Sequence, residues 1–281
     1  MSRNRENPVS ARLTDLDRGD QPRFADADDK QFVTALARGL DVLRAFSEGG
    51  SLLGNQEIAQ LTRLPKATVS RLTYTLARLG FLDYEHKLGK YRPGLAGLAL
   101  GNNALRATVL RRIAQPWMQE MAQRSNCTVS LLARDRLELV IVEQYAPDGA
   151  PTWGRDLGTR LPLTAHGPGR ALLVGLSQAE RLYVLEHLER ERPADSADLA
   201  KTVYGALAEY QRLGFTVSDG DATHRAMSLG APCIPVDGGR IMALTCASPT
   251  LGLSRERLVA ETGPRLLAIV ERIRAALETG G

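Results

Sequence analysis

The sequence predicts a two-domain α+β protein, with a winged helix-turn-helix in front, a linker helix, and a mixed α/β domain behind. Three observations carry this reading. The chain has 281 residues, 43% of them hydrophobic, which is enough for two cores at about 150 residues per domain. Apolar residues recur every three to four positions between Phe32 and Leu79, the helical period, whereas beyond Ser125 strand-like alternation sets in. Only Thr62, Arg63 and Leu64 separate the second and third helical patterns, so those helices must cross sharply. The expected boundaries are a disordered tail over 1–30, the winged domain over 31–94, the linker helix over 95–125 and the α/β domain over 126–281.

In chain order, Phe32, Leu36, Leu40, Leu43 and Phe46 make the stripe of a first helix that Gly49 and Gly50 end. Gly54 with Glu57 three residues on is a weakened capping box, opening a two-turn helix with apolar Ile58, Ala59 and Leu61. Pro65 suits a first helical position, and the helix to Leu79 is expected to bury Val69, Leu72, Leu76 and Leu79 before Gly80 closes it. Phe81–Tyr84 and Tyr91–Arg92 around Gly89 form a short hairpin, the wing. Leu105, Val109, Ile113, Trp117 and Met121 line one side of the linker helix, with Pro116 as its kink or restart. Thr128–Ala133 and Leu137–Tyr145 read as strands about a turn at Arg134, Asp135 and Arg136. Helices are then expected over Gly169–Leu176, Gln178–Glu189, Ala197–Leu213 and Arg255–Glu278, and strands over Phe215–Ser218, Ala231–Pro235 and Ile241–Ala247.

Composition narrows the class of function. No apolar run approaches the roughly 18 residues of a membrane span, and no apolar stretch follows Arg3 and Arg5, so neither a membrane role nor a secretory signal is expected and the cytoplasm is. Three cysteines, Cys127, Cys233 and Cys246, form no C-x-x-C pair, in keeping with a reducing compartment. The net charge of +4 is uneven: residues 1–30 carry −1, residues 31–103 carry +4 and the remainder +1. The basic surplus sits on the first folded domain, a modest pointer to nucleic acid.

The third helix supplies the matching chemistry. With its apolar side buried, Lys66, Ala67, Thr68, Ser70, Arg71, Thr73, Tyr74 and Arg78 are expected to face outward or sideways, and Lys66, Ala67, Thr68, Ser70, Arg71 and Tyr74 are the candidates for a major groove. Lys66 and Arg71 suit phosphate or guanine, the hydroxyls of Thr68 and Ser70 donate, and Ala67 allows close approach or a thymine-methyl contact. Lys87 and Lys90 on the wing suit the DNA backbone. An interaction module using the same polar helix for protein is the competing reading, and it predicts binding insensitive to salt.

Phe32–Phe46 (FVTALARGLDVLRAF), Leu64–Leu72 (LPKATVSRL), Leu76–Leu82 (LARLGFL), Tyr91–Gly94 (YRPG) with Leu98–Gly101 (LALG), and Leu161–Leu173 (LPLTAHGPGRALL) together resemble the IclR family of bacterial transcriptional regulators. The resemblance implies a GAF-like α/β effector-binding domain after the linker helix, and a homodimer or homotetramer on double-stranded, partly palindromic operator DNA. It also implies a small-molecule effector, a small carboxylic acid with aromatic acids included, in a site lined by Gly167, Pro168, Asp219, Cys233, Thr245 and Ala247. Arg63 stands where the family's turn often has glycine, Gly54 replaces the usual Ser or Thr cap, and residues 218–230 depart from the family's acidic pattern.

Residue chemistry adds detail to the effector site. Gly167, Pro168 and Gly169 precede a helix expected to begin near Arg170, whose first N–H groups can hold a carboxylate. Thr245 and Ala247 share one strand face while Cys246 points away. His224 or Arg225 can supply a cation, and Trp153 a flat lid. Catalysis is not expected: Cys233 with His166 or His224 is a nucleophile and base by residue type only, and no G-x-S-x-G, P-loop or G-x-G-x-x-G is present. Scattered His and Cys give no metal-ligand spacing, and no cofactor is expected.

Overall fold

A computed structural model describes residues 31–148, 156–164, 166–191, 193–219, 226–235, 239–249 and 254–279. The expected tail over 1–30, Trp153, His224 and Arg225 lie outside the described residues. The chain divides into two compact units, one ending at Ala107 and one running from Thr108.

The first unit contains α1 (Thr34–Gly49), α2 (Asn55–Thr62), α3 (Lys66–Arg78), the antiparallel pair β1 (Leu82–Glu85) and β2 (Lys90–Pro93), and α4 (Leu95–Ala107). Its core is Val42, Ala45, Phe46, Leu53, Ile58, Leu64, Val69 and Leu82. The α1 stripe is rotated from its expected place. Gly39, Val42, Ala45 and Phe46 face inward, while Leu36 and Leu40 are 63% and 45% exposed. This helix has apolar residues on two sides, and periodicity alone cannot decide which of them meets the core.

Gly54 caps α2 as expected, donating its N–H to Glu57 Oε2 at 2.7 Å. Arg63 ends α2 in the left-handed region at φ 57°, where a side chain costs roughly 1–2 kcal/mol relative to glycine. Pro65 is the residue before α3, with extended ψ, rather than its first helical residue. Inside α3, Thr73 is fully buried and Leu79 is 62% exposed, a correction to the expected stripe. Val69 and Thr73 are one turn apart and mark the true inner line, whereas Leu79 follows the last helical residue and turns outward.

The second unit is a six-stranded antiparallel sheet in the order β5-β4-β3-β8-β7-β6. Its strands are β3 (Thr128–Asp135), β4 (Glu138–Tyr145), β5 (Arg160–Pro162), β6 (Thr216–Ser218), β7 (Ala226–Cys233) and β8 (Met242–Pro249). Helices α5 (Val109–Ser125) and α10 (Gly263–Glu278) pack on one face; α9 (Arg255–Arg257) leads through a π-helical segment, Leu258–Thr262, into α10. Helices α6 (His166–Gly175), α7 (Gln178–Glu191) and α8 (Pro193–Leu213) cover the other. Strand β7 begins five residues earlier than expected, inside the segment that departs from the family pattern.

The linker is two helices. The break falls at Thr108, which is extended at φ −85°, ψ 91°, and not at Pro116, which sits inside α5. Pro116 is exposed, so its one missing N–H bond is absorbed on the solvent side without ending the helix. The inner face of α5 is Leu110, Ala114, Met118, Met121 and Ala122, while Val109 is exposed and Ile113 and Trp117 are partly buried. The start of α5 is anchored to β4: Arg111 Nη2 lies 2.8 Å from Glu143 Oε2, which also accepts from Gln115 Nε2 at 2.6 Å.

Candidate nucleic-acid interface and effector site

On α3, Lys66, Ser70, Tyr74 and Arg78 follow one another at four-residue intervals, with Ala67 and Arg71 on the adjacent row. Lys66, Ala67, Ser70, Arg71, Tyr74 and Arg78 are all exposed, and Thr68 is half-buried at the edge of this face. The result is a solvent-facing strip with two cations in its first two turns, hydroxyls between them and a tyrosine beyond. It suits phosphates and base edges. The helix is set by polar ties as well as apolar contacts. Thr73 Oγ1 donates to Asn55 Oδ1 at 3.0 Å and lies 3.0 Å from Val69 O, joining α3 to the first residue of α2.

The two wing lysines have different surroundings. Lys87 is exposed at the hairpin tip. Lys90 Nζ bonds Glu57 Oε1 at 3.0 Å, so it ties the wing to α2 instead of presenting a free charge. The Glu57 carboxyl is held below the ordinary carboxylate range, chiefly by the Gly54 N–H and then by Lys90. A bridge between Leu53 and Tyr91 fixes the base of the wing.

In the second unit the structure brings most of the expected effector residues to one face of the sheet. Gly167 lies in the first turn of α6, which begins at His166, so Gly167, Pro168 and Gly169 belong to the helix rather than to a loop before it. This corrects the expected start near Arg170; proline and glycine fit a first turn, where N–H groups have no intrahelical acceptor. A Cβ on Gly167 would fall 2.1 Å from Ser228 Oγ, and one on Gly230 2.6 Å from Ala171 Cβ and 3.3 Å from Thr245 Cγ2. Helix α6 thus lies directly on β7, beside Thr245.

Strand register places Thr245 between Ser130 and Gly230, and Ala247 between Thr128 and Ser228. Thr128, Ser130, Ser218, Ser228 and Thr245 are all buried and share the α6 face. Gln144 Nε2 donates to Ser130 Oγ at 2.8 Å. Sequence reasoning missed this hydroxyl floor, although its signal is a period of two: Thr128 and Ser130, then Thr216 and Ser218.

Cys233 and Asp219 are placed differently. Cys233 is an odd number of residues from Gly230, and its side chain joins the core under α5 and α10, away from Thr245. Burial pushes its thiol up to about 12, so it is a neutral apolar group near neutrality. Asp219 is exposed, and both its oxygens accept from Arg255 Nη1 at 2.6 Å. Arg255 also binds Glu209, whose other oxygen accepts the Val217 N–H at 2.6 Å. Arg170 belongs to the same neighbourhood. Its Nη1 donates to Val217 O at 3.0 Å, and its Nε is buried with no hydrogen-bond partner among the described residues. Burial lowers its guanidinium from the ordinary value, against the pull of Glu209 and Asp219.

Among the described residues, no group of His, Cys, Asp and Glu suits a metal, and no helix is long and apolar enough to cross a membrane.

The IclR helix-turn-helix domain model matches residues 35–86, and the model of the bacterial transcriptional regulator IclR C-terminal domain matches residues 102–275. The chain belongs to the IclR family. The HTH-type transcriptional regulator TsaQ1/TsaQ2 of Comamonas testosteroni is 34% identical over 87% of this chain and 88% of its own length. An IclR-family regulator structure from Brucella abortus superposes with a TM-score of 0.77 at 38% identity, covering 89% of this chain and 94% of that one. An IclR homologue of Microbacterium hydrocarbonoxydans, solved in complex with 4-hydroxybenzoate, is 25% identical with a TM-score of 0.69 over 88% of this chain and all of that one. This chain is therefore an IclR-family transcriptional regulator with a helix-turn-helix DNA-binding domain, and its relatives are regulators rather than enzymes.

Proposed function

We propose that α3 reads operator bases through Lys66, Ala67, Thr68, Ser70, Arg71 and Tyr74, that Lys87 contacts backbone, and that the second unit binds a small carboxylic acid controlling this activity. The observation that carries the effector reading is the buried hydroxyl floor of Ser130, Ser228 and Thr245 beside the first turn of α6, with Arg170 next along that helix, its Nε buried and without a hydrogen-bond partner among the described residues. A carboxylate there meets hydroxyl donors, first-turn N–H groups and a cation, and each such charge-assisted bond is short and strong. Gly167, Pro168, Thr245 and Ala247 belong to this site. Asp219 acts on it through Arg255, and Cys233 packs the opposite side of its wall. The complex of a homologue with 4-hydroxybenzoate makes an aromatic acid the first class to test.

Regulation requires that the acid bind the DNA-competent and DNA-incompetent arrangements unequally. A hundredfold preference shifts the equilibrium by about 2.7 kcal/mol. Exposed Leu36 and Leu40 on α1 and Leu95, Leu98 and Leu100 on α4 are apolar surface that a lone subunit rarely leaves bare. They support a homodimer through the first unit, and pairs of dimers would give the tetramer.

Isothermal titration of pyruvate, benzoate and 4-hydroxybenzoate into the full chain tests the effector site. At least one acid should bind, and Thr245→Val and Arg170→Gln should each weaken it at least fivefold while leaving DNA affinity in its absence unchanged. Binding indifferent to both substitutions, or absent for all three acids, would overturn the reading.

A further inference from the structure

The face of the sheet away from α6 carries a groove that the regulator reading leaves unused. It runs between α5 and α10, encloses about 130 Å³, and has Trp117, Met121 and Ile269 among its lining residues. Met121 and Ile269 are buried, and the Trp117 indole is packed partly into the core beneath. The guanidinium-bearing residues Arg124, Arg265 and Arg272 also line it, with Glu120 as the one acid among its lining residues.

Only Arg124 of the three arginines meets that acid among the described residues. Arg124 Nε lies 3.2 Å from Glu120 Oε1. Arg265 is steadied through one nitrogen, Nη1, by Arg124 O at 3.1 Å and Ser125 Oγ at 3.3 Å. Arg272 makes no hydrogen bond or ion pair among the described residues and is exposed. The lining therefore carries a net charge of about +2 around an apolar floor that includes an indole, a setting for both bidentate carboxylate binding and stacking.

We propose that this groove is a second small-molecule site, for a single-ring aromatic carboxylate. Size and charge choose this occupant. An apolar cavity of about 150 Å³ holds a benzene ring, so the groove suits one ring and not the row of side chains that a docking helix inserts. A second copy of the chain using the same face would oppose three arginines to three arginines, which like-charge repulsion disfavours. A ring over Trp117 with its carboxylate at Arg272 and Arg265 would clasp α5 to α10, and α5 begins where the first unit ends. The site is on the opposite face of the sheet from Thr245, so it stands or falls independently of the effector site proposed above.

The test uses the full chain with Trp153→Phe, which leaves Trp117 as the sole tryptophan, and follows indole fluorescence as 4-hydroxybenzoate is added. The expected result is a saturable change that weakens as salt rises and is absent with acetate or benzamide, which lack the ring or the charge. Arg272→Gln should weaken it about fivefold and Arg124→Gln/Arg272→Gln at least tenfold, while Ala268→Glu should abolish it. Circular dichroism verifies that each variant is folded. Thr245→Val should leave this signal in place, which separates failure here from failure at the effector site. No saturable change, equal binding by the arginine variants, or an Ala268→Glu protein that changes only its oligomeric mass would overturn the proposal.

Discussion

Replacing Thr73 by Val tests whether a polar tie fixes the recognition helix. Valine keeps the shape and the buried methyl group but removes the hydroxyl that joins α3 to Asn55 Oδ1 at 3.0 Å. Thr73 is fully buried, so water does not replace the lost bond on its side. Asn55 is only half-buried, and its freed oxygen regains solvent. The net cost is therefore that of one ordinary hydrogen bond, about 1 kcal/mol, or roughly a fivefold fall in the protection of α3 amides. Native-state hydrogen exchange reads this directly on the helix. Asn55→Ala should cost a similar amount, and the double variant little more than either single one, since the two side chains share the interaction. Unchanged protection in Thr73→Val, or fully additive effects in the pair, would refute the assignment of this bond as the tie between α2 and α3.

Three further outcomes follow from the same geometry. The folded-state pKa of Glu57 is depressed, so its contribution is complete above the ordinary carboxylate range and is lost as pH falls through the lowered value; Glu57→Gln should remove that acid-side dependence from the exchange of the Gly54 amide, and a dependence that persists would show another group to be responsible. In Gly169→Ala a Cβ would fall 2.0 Å from the carbonyl oxygen of Leu163, so α6 must shift, lowering the melting temperature of the second unit by an amount equivalent to about 1–3 kcal/mol; an unchanged melting temperature would refute that contact. Leu36→Glu/Leu98→Glu should halve the mass seen by analytical ultracentrifugation, from dimer to single chain or from tetramer to dimer, and an unchanged mass would place the subunit contact elsewhere.

The sequence made some features legible because local chemistry decides them. The short turn at Thr62–Leu64, the cap at Gly54 and the wing around Gly89 rest on backbone preferences that tertiary contacts do not reverse, and Arg63 takes the left-handed conformation at φ 57° that its place in the turn requires. The phase of the helices was less legible. Helix α1 has apolar residues on opposite sides, and only packing reveals that Val42 and Phe46 face inward while Leu36 and Leu40 do not. Gly167, Pro168 and Gly169 read as a turn before the helix, yet they form the first turn of α6, where β7 and the Leu163 carbonyl leave Gly167 and Gly169 no room for a Cβ. At the proposed effector site, the family resemblance and the strand alternation together make Thr245 and Ala247 legible as neighbours on one face. The same alternation, counted from Gly230, puts Cys233 on the other face, whereas Ser130, Ser228 and Arg170 are grouped by strand pairing and by the packing of α6, which no local pattern encodes.

Sequence-selective DNA binding by α3 is measured by fluorescence anisotropy with duplexes from upstream of the gene and its neighbours, against a scrambled duplex, over a salt series. Tight binding to at least one natural duplex is expected, with affinity falling steeply as salt rises, and a loss of about 1–3 kcal/mol in selective affinity for a folded Arg71→Ala protein. Equal affinity for natural and scrambled duplexes with and without the carboxylic acids, or an Arg71→Ala protein that binds as the parent does, would contradict it.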